Sequence, residues 1–405
     1  MEKGKIIGIV KSLIDTDLYK INMLCTYFNR FPNKVGRFEF KCRNKDARFT
    51  ATMFKRINQE LDYLCQLKFT EDEIQWLSKL PWLKNKIGFL AFLRLFKFDR
   101  SMINAELVGG GKLKISAKGP IFIISYFETF VLSILSEVYY DATYPDEDCS
   151  LATSKLEAKI ETILKTDLPF KFSEFGARRR FSFDWHDRVV KTLAERIPSD
   201  KFVGTSDMYL AKKYNLVPQG TMAHEFLCLG QALDNVTLEA SQRYMLQQWA
   251  DEFRGNLGIA LSDNLGIDKF LIDFDLYFAK LFNGIRQDSG DPIEVANKII
   301  NHYKKLGIDP KTKTIVFSDC LDFNKAIDLC RQFHDKINVA FGIGTNLVCD
   351  MGSFSPLQCV MKLVEVDGNP VAKISDSNGK VMCEDQNYIE YLKSVIDRSI
   401  KNNRG

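Results

Sequence analysis

From residue 170 onward one pattern recurs: a short apolar run, a small or polar cluster, and in several cases a stretch with helical periodicity. The runs are PFKFSEFGARRR, KFVGTSDMYLAKKY, NLVPQGTMAHEF, GIALSDNLGIDKF, FNGIRQDSGDPIEVANKII, KTIVFSDCLDFNKAIDLC and INVAFGIGTNLV. Strand–loop–helix repetition favours a parallel sheet, open or closed into a barrel. The spacings are uneven, so a closed form is expected to be an irregular (β/α) barrel rather than a regular eightfold one. Each polar cluster is read as following a strand, at its carboxyl end. In parallel α/β folds those ends share one face and build the active site. One polar turn would carry no weight; seven with phosphate-binding and acid/base residue types do.

The first 135 residues lack this rhythm. Phe54, Ile57, Leu61 and Leu64 predict an amphipathic helix over 51–66, and the alternation around Phe38 and Phe40 predicts a strand from Val35 to Arg43. Ser150 is read as the N-cap of a helix over 151–165. A chain of 405 residues exceeds the usual single core. Two domains are therefore expected: an irregular barrel over 137–345, and a smaller α+β domain combining 1–136 with 346–405.

Bulk numbers exclude more than they select. The net charge of +4 is the small difference between 56 basic and 52 acidic residues, which gives no case for a nucleic-acid surface. The ten cysteines form no Cys-x-x-Cys pair, so neither a zinc site nor a secreted disulfide framework is suggested. Reduced, mostly buried thiols of a cytosolic enzyme fit better. The apolar stretch near the N-terminus is interrupted by Lys11 and Asp15 and is too short to cross a membrane. A cytoplasmic, soluble protein is expected.

Several clusters have residue types suited to chemistry. Gly342-Ile343-Gly344-Thr345, after a strand ending at Phe341, can bring backbone N–H groups close to an anion. Arg286 offers a fork of donors for phosphate, and Asp288 and Asp291 can accept from ribose hydroxyls or hold magnesium through water. The bland alternative there is a cap before a helix that opens on Pro292. Ser262-Asp263 and Ser318-Asp319 place further carboxylates on the same face. Carboxylates so gathered repel unless cations or a hydroxyl-rich ligand lie among them, and a sugar polyphosphate with magnesium meets that condition. Phe175 precedes the run Arg178-Arg179-Arg180, so a flat anion can be stacked and charge-paired together. Of the four histidines, His302 and His334 sit on amphipathic patterns, whereas His224 is read as following a strand end, with Thr221 one turn earlier. Its imidazole can serve as base or as a nucleophile forming a phosphoramidate, and chemistry alone does not choose.

The segments LIDTDLYKINM, FEFKCRN, QWLSKLPWL, EFGARRRFS, FVGTSD, GTMAHE, GIALSD, RQDSGDP, IVFSD, FGIGTNL and KLVEVDGNPVAKISDSNGK run in order across nearly the whole chain. In this the sequence closely resembles the bacterial-type nicotinate phosphoribosyltransferases. The resemblance implies transfer of a phosphoribosyl group from 5-phosphoribosyl 1-pyrophosphate to nicotinate, giving nicotinate mononucleotide and pyrophosphate for NAD salvage. It also implies ATP as co-substrate, coupled through a phosphohistidine at His224, and magnesium carried with the pyrophosphate or ATP rather than on a dedicated protein site.

By the same resemblance, Tyr19 and Phe175 would sandwich the pyridine ring and Arg178 would face its carboxylate, with Ser206 and Thr221 close by. Arg286 with Gly344 and Thr345 would hold the 5′-phosphate. Asp288 and Asp319 would bind ribose hydroxyls, with Asp263 nearby; Lys373 and Lys380 would reach the pyrophosphate. Related nicotinamide-using enzymes have an acidic residue about where Ser206 stands, so a serine favours nicotinate, although Asp207 follows immediately. Ala177 stands where some relatives have a hydroxyl residue. In the family's dimeric members the neighbouring subunit donates the tyrosine, which makes a homodimer one expectation here. Rival readings are a nicotinamide or quinolinate phosphoribosyltransferase, a sugar-phosphate aldolase or isomerase, and a non-enzymatic binding protein. The second needs a Schiff-base lysine or an acid/base pair at a strand end, and none is evident.

Overall fold

The structure is a computed structural model that describes residues 8–375, 383 and 385–403. It is a mixed α/β fold built on two sheets. One is antiparallel, with strands β1 (Val35–Cys42), β2 (Ile103–Val108), β3 (Lys112–Pro120), β10 (Cys359–Val366) and β11 (Asn369–Pro370) in the order β11-β10-β1-β3-β2. The N-terminal third and the C-terminal tail thus share this sheet, with Cys42 opposite Cys359 and Phe40 opposite Met361. In β1 the side chains of Phe38 and Phe40 are buried, and Arg37 and Glu39 are less so, as the alternation requires.

The other sheet is parallel. Strands β4 (Phe172–Glu174), β5 (Phe202–Thr205), β6 (Ile259–Leu261), β7 (Gly284–Gln287), β8 (Thr314–Phe317) and β9 (Asn338–Ile343) are ordered β5-β4-β9-β8-β7-β6. Helices Phe183–Arg196, Pro292–Lys305 and Phe323–Phe333 connect successive strands. The last of these buries Phe323, Ala326, Ile327, Cys330 and Phe333, the stripe that a helix lying on a sheet needs. The segment 218–221 touches both edge strands. Pro218 bridges Thr205 on β5, and the Thr221 hydroxyl donates to Ile259 O on β6 at 2.8 Å.

The two sheets share one continuous core. Residues 14–18 are strapped onto the end of β5: Leu18 N donates to Ser206 O, Met208 N to Thr16 O and Tyr209 N to Ile14 O. Beneath the strap, Arg180 and Asp15 form a fully buried two-pronged ion pair at 2.5 and 3.1 Å. Among the described residues one stretch, 121–143, is long and apolar enough to cross a membrane, and its most apolar part is mostly buried inside the protein.

Some expectations shift. The first amphipathic helix is Ala51–Leu64 and the strand stops at Cys42. The helix expected over 151–165 starts one residue early, at Ser150; its cap position is Cys149, at φ 61°. Strand β9 runs on to Ile343, past Phe341. His224 does not follow a strand: 214–223 contains only the bridge at Pro218, because those residues pass between the two sheet edges. Asp291 takes its bland role, capping Pro292–Lys305 by accepting from the Ile293 and Glu294 amides.

Candidate active site

A cavity of about 560 Å³ lies where the carboxyl ends of the parallel strands meet β10 and the residues after β11. Its lining includes His224, the first residue of the helix His224–Leu229. Its Nε2 is 2.8 Å from Asp263 Oδ1 and 3.8 Å from Asp288 Oδ2. The other Asp263 oxygen accepts from the Ser289 hydroxyl and the Lys373 ammonium, each at 2.6 Å. A carboxylate only accepts, so Nε2 carries the proton and Nδ1 the lone pair. Burial pushes the His224 pKa down and Lys373 adds to this, while Asp263 opposes. Burial disfavours the Asp263 charge, yet His224 and Lys373 prevail and hold its pKa well below the carboxylate range.

One end of the cavity is lined by Asp17, Tyr19, Glu128, Phe175, Arg178 and Ser206. Tyr19 stands in the first turn of Leu18–Arg30, fixed by the strap, and faces the same space as Phe175 and Arg178 of its own chain. The glycine near the end of β9, Gly342, and the one just after it, Gly344, have a steric reason. A Cβ on Gly342 would run into the Phe175 ring, and one on Gly344 would lie 2.6 Å from Phe175 O. Glu174 steadies the same turn from below, accepting from Gly176 N, from Thr205 Oγ1 at 2.6 Å and from His186 at 2.9 Å. Arg178 Nη1 is 3.5 Å from Glu128 Oε1. Burial works against its charge, but Tyr19, Glu128 and Asp17 raise its pKa. The Ser206 hydroxyl donates to Asp17 Oδ1 at 2.5 Å. Asp207 does not line the cavity; it caps Met208–Lys213 through Leu210 N.

At the other end, Arg286 Nη2 holds Asp288 Oδ1 at 2.8 Å and its Nε donates to Ser318 Oγ at 2.8 Å. Burial opposes the Asp288 charge, but Arg286, with help from His224 and Lys373, keeps its carboxyl far below the usual range. Asp319, Gly344 and Thr345 also line this end. Facing them are Arg43, Arg179, Lys362 and Lys373. Burial, then Lys373 and Arg43, pull the Lys362 pKa down to about 8. Burial, then Arg178 and Arg43, pull Arg179 down to about 10. Cations are pressed together here at an energetic cost, and an anion would relieve it.

The model of the nicotinate phosphoribosyltransferase (NAPRTase) family matches residues 170–400, and that of its N-terminal domain matches residues 14–136. The chain belongs to this family. The nicotinate phosphoribosyltransferase of Acinetobacter baumannii is 46% identical over 397 residues, covering 96% of this chain and 97% of the relative. That of Chromobacterium violaceum is 44% identical over 396 residues, with 96% and 97% covered. Among solved structures, the Vibrio cholerae enzyme superposes with a TM-score of 0.90 at 36% identity, covering 98% of this chain and 97% of its own. The Porphyromonas gingivalis enzyme gives 0.89 at 31% identity, covering 96% and 100%.

For a nicotinate phosphoribosyltransferase family member, most of the residues singled out in sequence come together. Tyr19, Phe175, Arg178, Ser206, His224, Arg286, Asp288, Asp319, Gly344, Thr345 and Lys373 all line the one cavity. Two do not. Thr221 is turned to β6, and Asp263 lies behind His224 as its support. Lys380 lies outside the described residues. The arginine run divides: Arg178 and Arg179 face the cavity, and Arg180 is core. Sequence reasoning missed Asp17, Arg43, Glu128, Glu225 and Lys362. Lys362 lies in β10 of the antiparallel sheet and Arg43 just after β1, where no strand-end rule pointed; their only signal was the segments FEFKCRN and KLVEVDGNPVAKISDSNGK.

Proposed function

We propose that this chain transfers a phosphoribosyl group from 5-phosphoribosyl 1-pyrophosphate to nicotinate, releasing pyrophosphate, with ATP hydrolysis coupled through His224. The observation that carries the reading is the relay Lys373–Asp263–His224 beside Asp288, in one cavity with Tyr19, Phe175 and Arg178. Asp263 holds Nε2–H, leaving the Nδ1 lone pair to attack the γ-phosphorus of ATP. The P–N bond forms, the bond to the bridging oxygen breaks and ADP leaves with that electron pair. Water later cleaves the P–N bond, giving inorganic phosphate.

Transfer itself needs little acid/base chemistry. The ring nitrogen of nicotinate is already nucleophilic, and its displacement at the ribose C1 builds oxocarbenium character. Arg178 would pair with the nicotinate carboxylate while Tyr19 and Phe175 stack the ring. Arg286 and the Gly344–Thr345 loop would take the 5′-phosphate, and Asp288 and Asp319 the ribose hydroxyls. Their negative charge suits a cationic sugar. Arg43, Arg179, Lys362 and Lys373 suit the pyrophosphate. Single ligand atoms of His224, Asp263 and Asp288 lie within 4.8 Å of one another. Asp263 is committed to three partners, so Asp288 and Asp319 are the oxygen donors that fit magnesium held through water. When bound with the polyphosphate, that ion would neutralise the leaving group. We also read the parallel sheet as an irregular barrel closed by 218–221, with the antiparallel sheet as the centre of the second domain.

Intact-mass measurement after ATP treatment tests the coupling: a phosphate adduct is expected on the wild type and absent from His224→Ala. An adduct of equal extent on His224→Ala removes that histidine from the role. Turnover of nicotinate, nicotinamide and quinolinate, each with and without ATP, tests the acceptor. Better turnover of nicotinamide would defeat the assignment of Ser206 and Arg178.

A further inference from the structure

We propose that Lys20 is a positioning residue that links the pyridine end of the cavity to the helix carrying His224. The proposal rests on the ATP-coupled reading given above. Lys20 follows Tyr19 in the first turn of Leu18–Arg30, yet its side chain has no exposed surface and does not line the cavity. A buried ammonium is tolerated only where paired and fully hydrogen-bonded. Its three donors reach Ser125 O at 2.8 Å, Glu128 Oε2 at 2.6 Å and Glu225 Oε2 at 2.7 Å.

Each carboxylate has a second connection. The far oxygen of Glu128 is 3.5 Å from Arg178, the cation that faces the pyridine end. Glu225 follows His224 and shares the first turn of its helix. The contacts therefore run Arg178–Glu128–Lys20–Glu225 and reach His224 through one peptide unit. Glu128 and Glu225 also hydrogen-bond each other, and Glu225 is the one that keeps the proton near pH 7 while both accept from the one ammonium. Burial raises the Glu225 carboxyl to about 8; Lys20 opposes this and Glu128 reinforces it.

A carboxylate arriving at Arg178 competes with Glu128 for the guanidinium. Glu128 then leans more on Lys20, at the expense of Glu225. Phosphate on His224 adds negative charge beside Glu225 and acts on the same ammonium from the other side. Both events bias one shared cation, so each alters the free energy of the other by the same amount. A side chain that served the fold alone would affect nicotinate binding equally with and without ATP.

The test compares wild type, Lys20→Met, Lys20→Arg and Glu225→Leu. Nicotinate KM and kcat are measured with and without ATP, and phosphate on His224 is read by intact mass. In Lys20→Met and Glu225→Leu the ratio of the two KM values should shrink at least about fivefold, the low end of ordinary coupling. Lys20→Arg should recover most of it, and the phosphate adduct should persist in all three. A ratio unchanged from wild type in the folded variants overturns the proposal. If Lys20→Met does not fold, Glu225→Leu, which removes the acceptor for Lys20 altogether, decides alone. A wild type with no adduct and no ATP effect on KM removes the coupled reaction itself, and the mass spectrum distinguishes that failure from this one.

Discussion

The two walls of the cavity are charged in opposite ways. The wall built from parallel strand ends is rich in carboxylates, and its main ones already have cationic partners: Asp263 with His224 and Lys373, Asp288 with Arg286. Their pKa values are held low, so they stay ionised and fixed in place without a ligand. The facing wall, formed by β10 and the residues that follow β1 and β11, crowds Lys362, Arg43 and Lys373 with Arg179, and burial and repulsion depress Lys362 and Arg179. One wall is assembled in advance; the other is built under tension that an anion releases. On the proposed function, the contrast separates chemistry, which needs geometry fixed beforehand, from capture of a polyphosphate, which gains from charge left over.

The largest expected effect lies on the pre-assembled wall. Asp263→Asn leaves Lys373 without its buried counter-charge and allows the wrong His224 tautomer. A stability loss of about 3–5 kcal/mol by urea unfolding is expected, with phosphate-adduct formation slowed on the order of 10³-fold or more. Next comes Arg178→Ala, which should raise nicotinate KM roughly 30- to 100-fold, the worth of a charge-assisted contact of about 2–3 kcal/mol. Steady-state kinetics at saturating phosphoribosyl donor check it.

On the tense wall, Lys362→Met should raise the KM for the phosphoribosyl donor about tenfold near pH 7 and cost little or no stability. Lys362 is a base with a lowered pKa, so it is charged below about 8 and neutral above it. The wild-type KM should therefore climb as pH rises through 8, and the difference between wild type and variant should fade by pH 9. A Lys362→Met protein destabilised as much as Asp263→Asn would erase the contrast between the walls. Smallest is Ser206→Ala, which removes one hydrogen bond to Asp17. The preference for nicotinate over nicotinamide, as a ratio of kcat/KM values, should move by about fivefold.

The difference between the walls also decided what was legible in sequence. The parallel wall follows a rule of position: polar residues after buried strands converge on one face, so Asp288, Asp319, Arg286 and Phe175 were found from pattern. The same rule misplaced His224, which reaches that face from a helix start between two sheet edges rather than from a strand end. It also counted Asp291, which caps a helix. The antiparallel wall obeys no such rule. Whether Arg43 or Lys362 meets the cavity depends on how β1 and β10 pack across the molecule, and alternation along a strand cannot say what lies opposite. The split among Arg178, Arg179 and Arg180 was hidden for a similar reason: a distant partner, Asp15, draws the third into the core. Asp207 was settled by its capping bond, which leaves the Ser206 side chain as the one presented to the cavity.

The glycines at the end of β9 limit how such a site can change. Gly342 and Gly344 are vacant at Cβ because Phe175 occupies the room. Segment 342–345, proposed to take the phosphate, and Phe175, proposed to stack the pyridine, are therefore one steric unit, joined through the ring at Gly342 and the backbone at Gly344. In a library that randomises 342–345, variants should lose the aromatic acceptor before they lose the sugar phosphate. Reshaping the acceptor side, conversely, can begin at residue 175 without disturbing the loop, since a smaller side chain there only frees space. Specificity can drift from that direction far more readily than from the other.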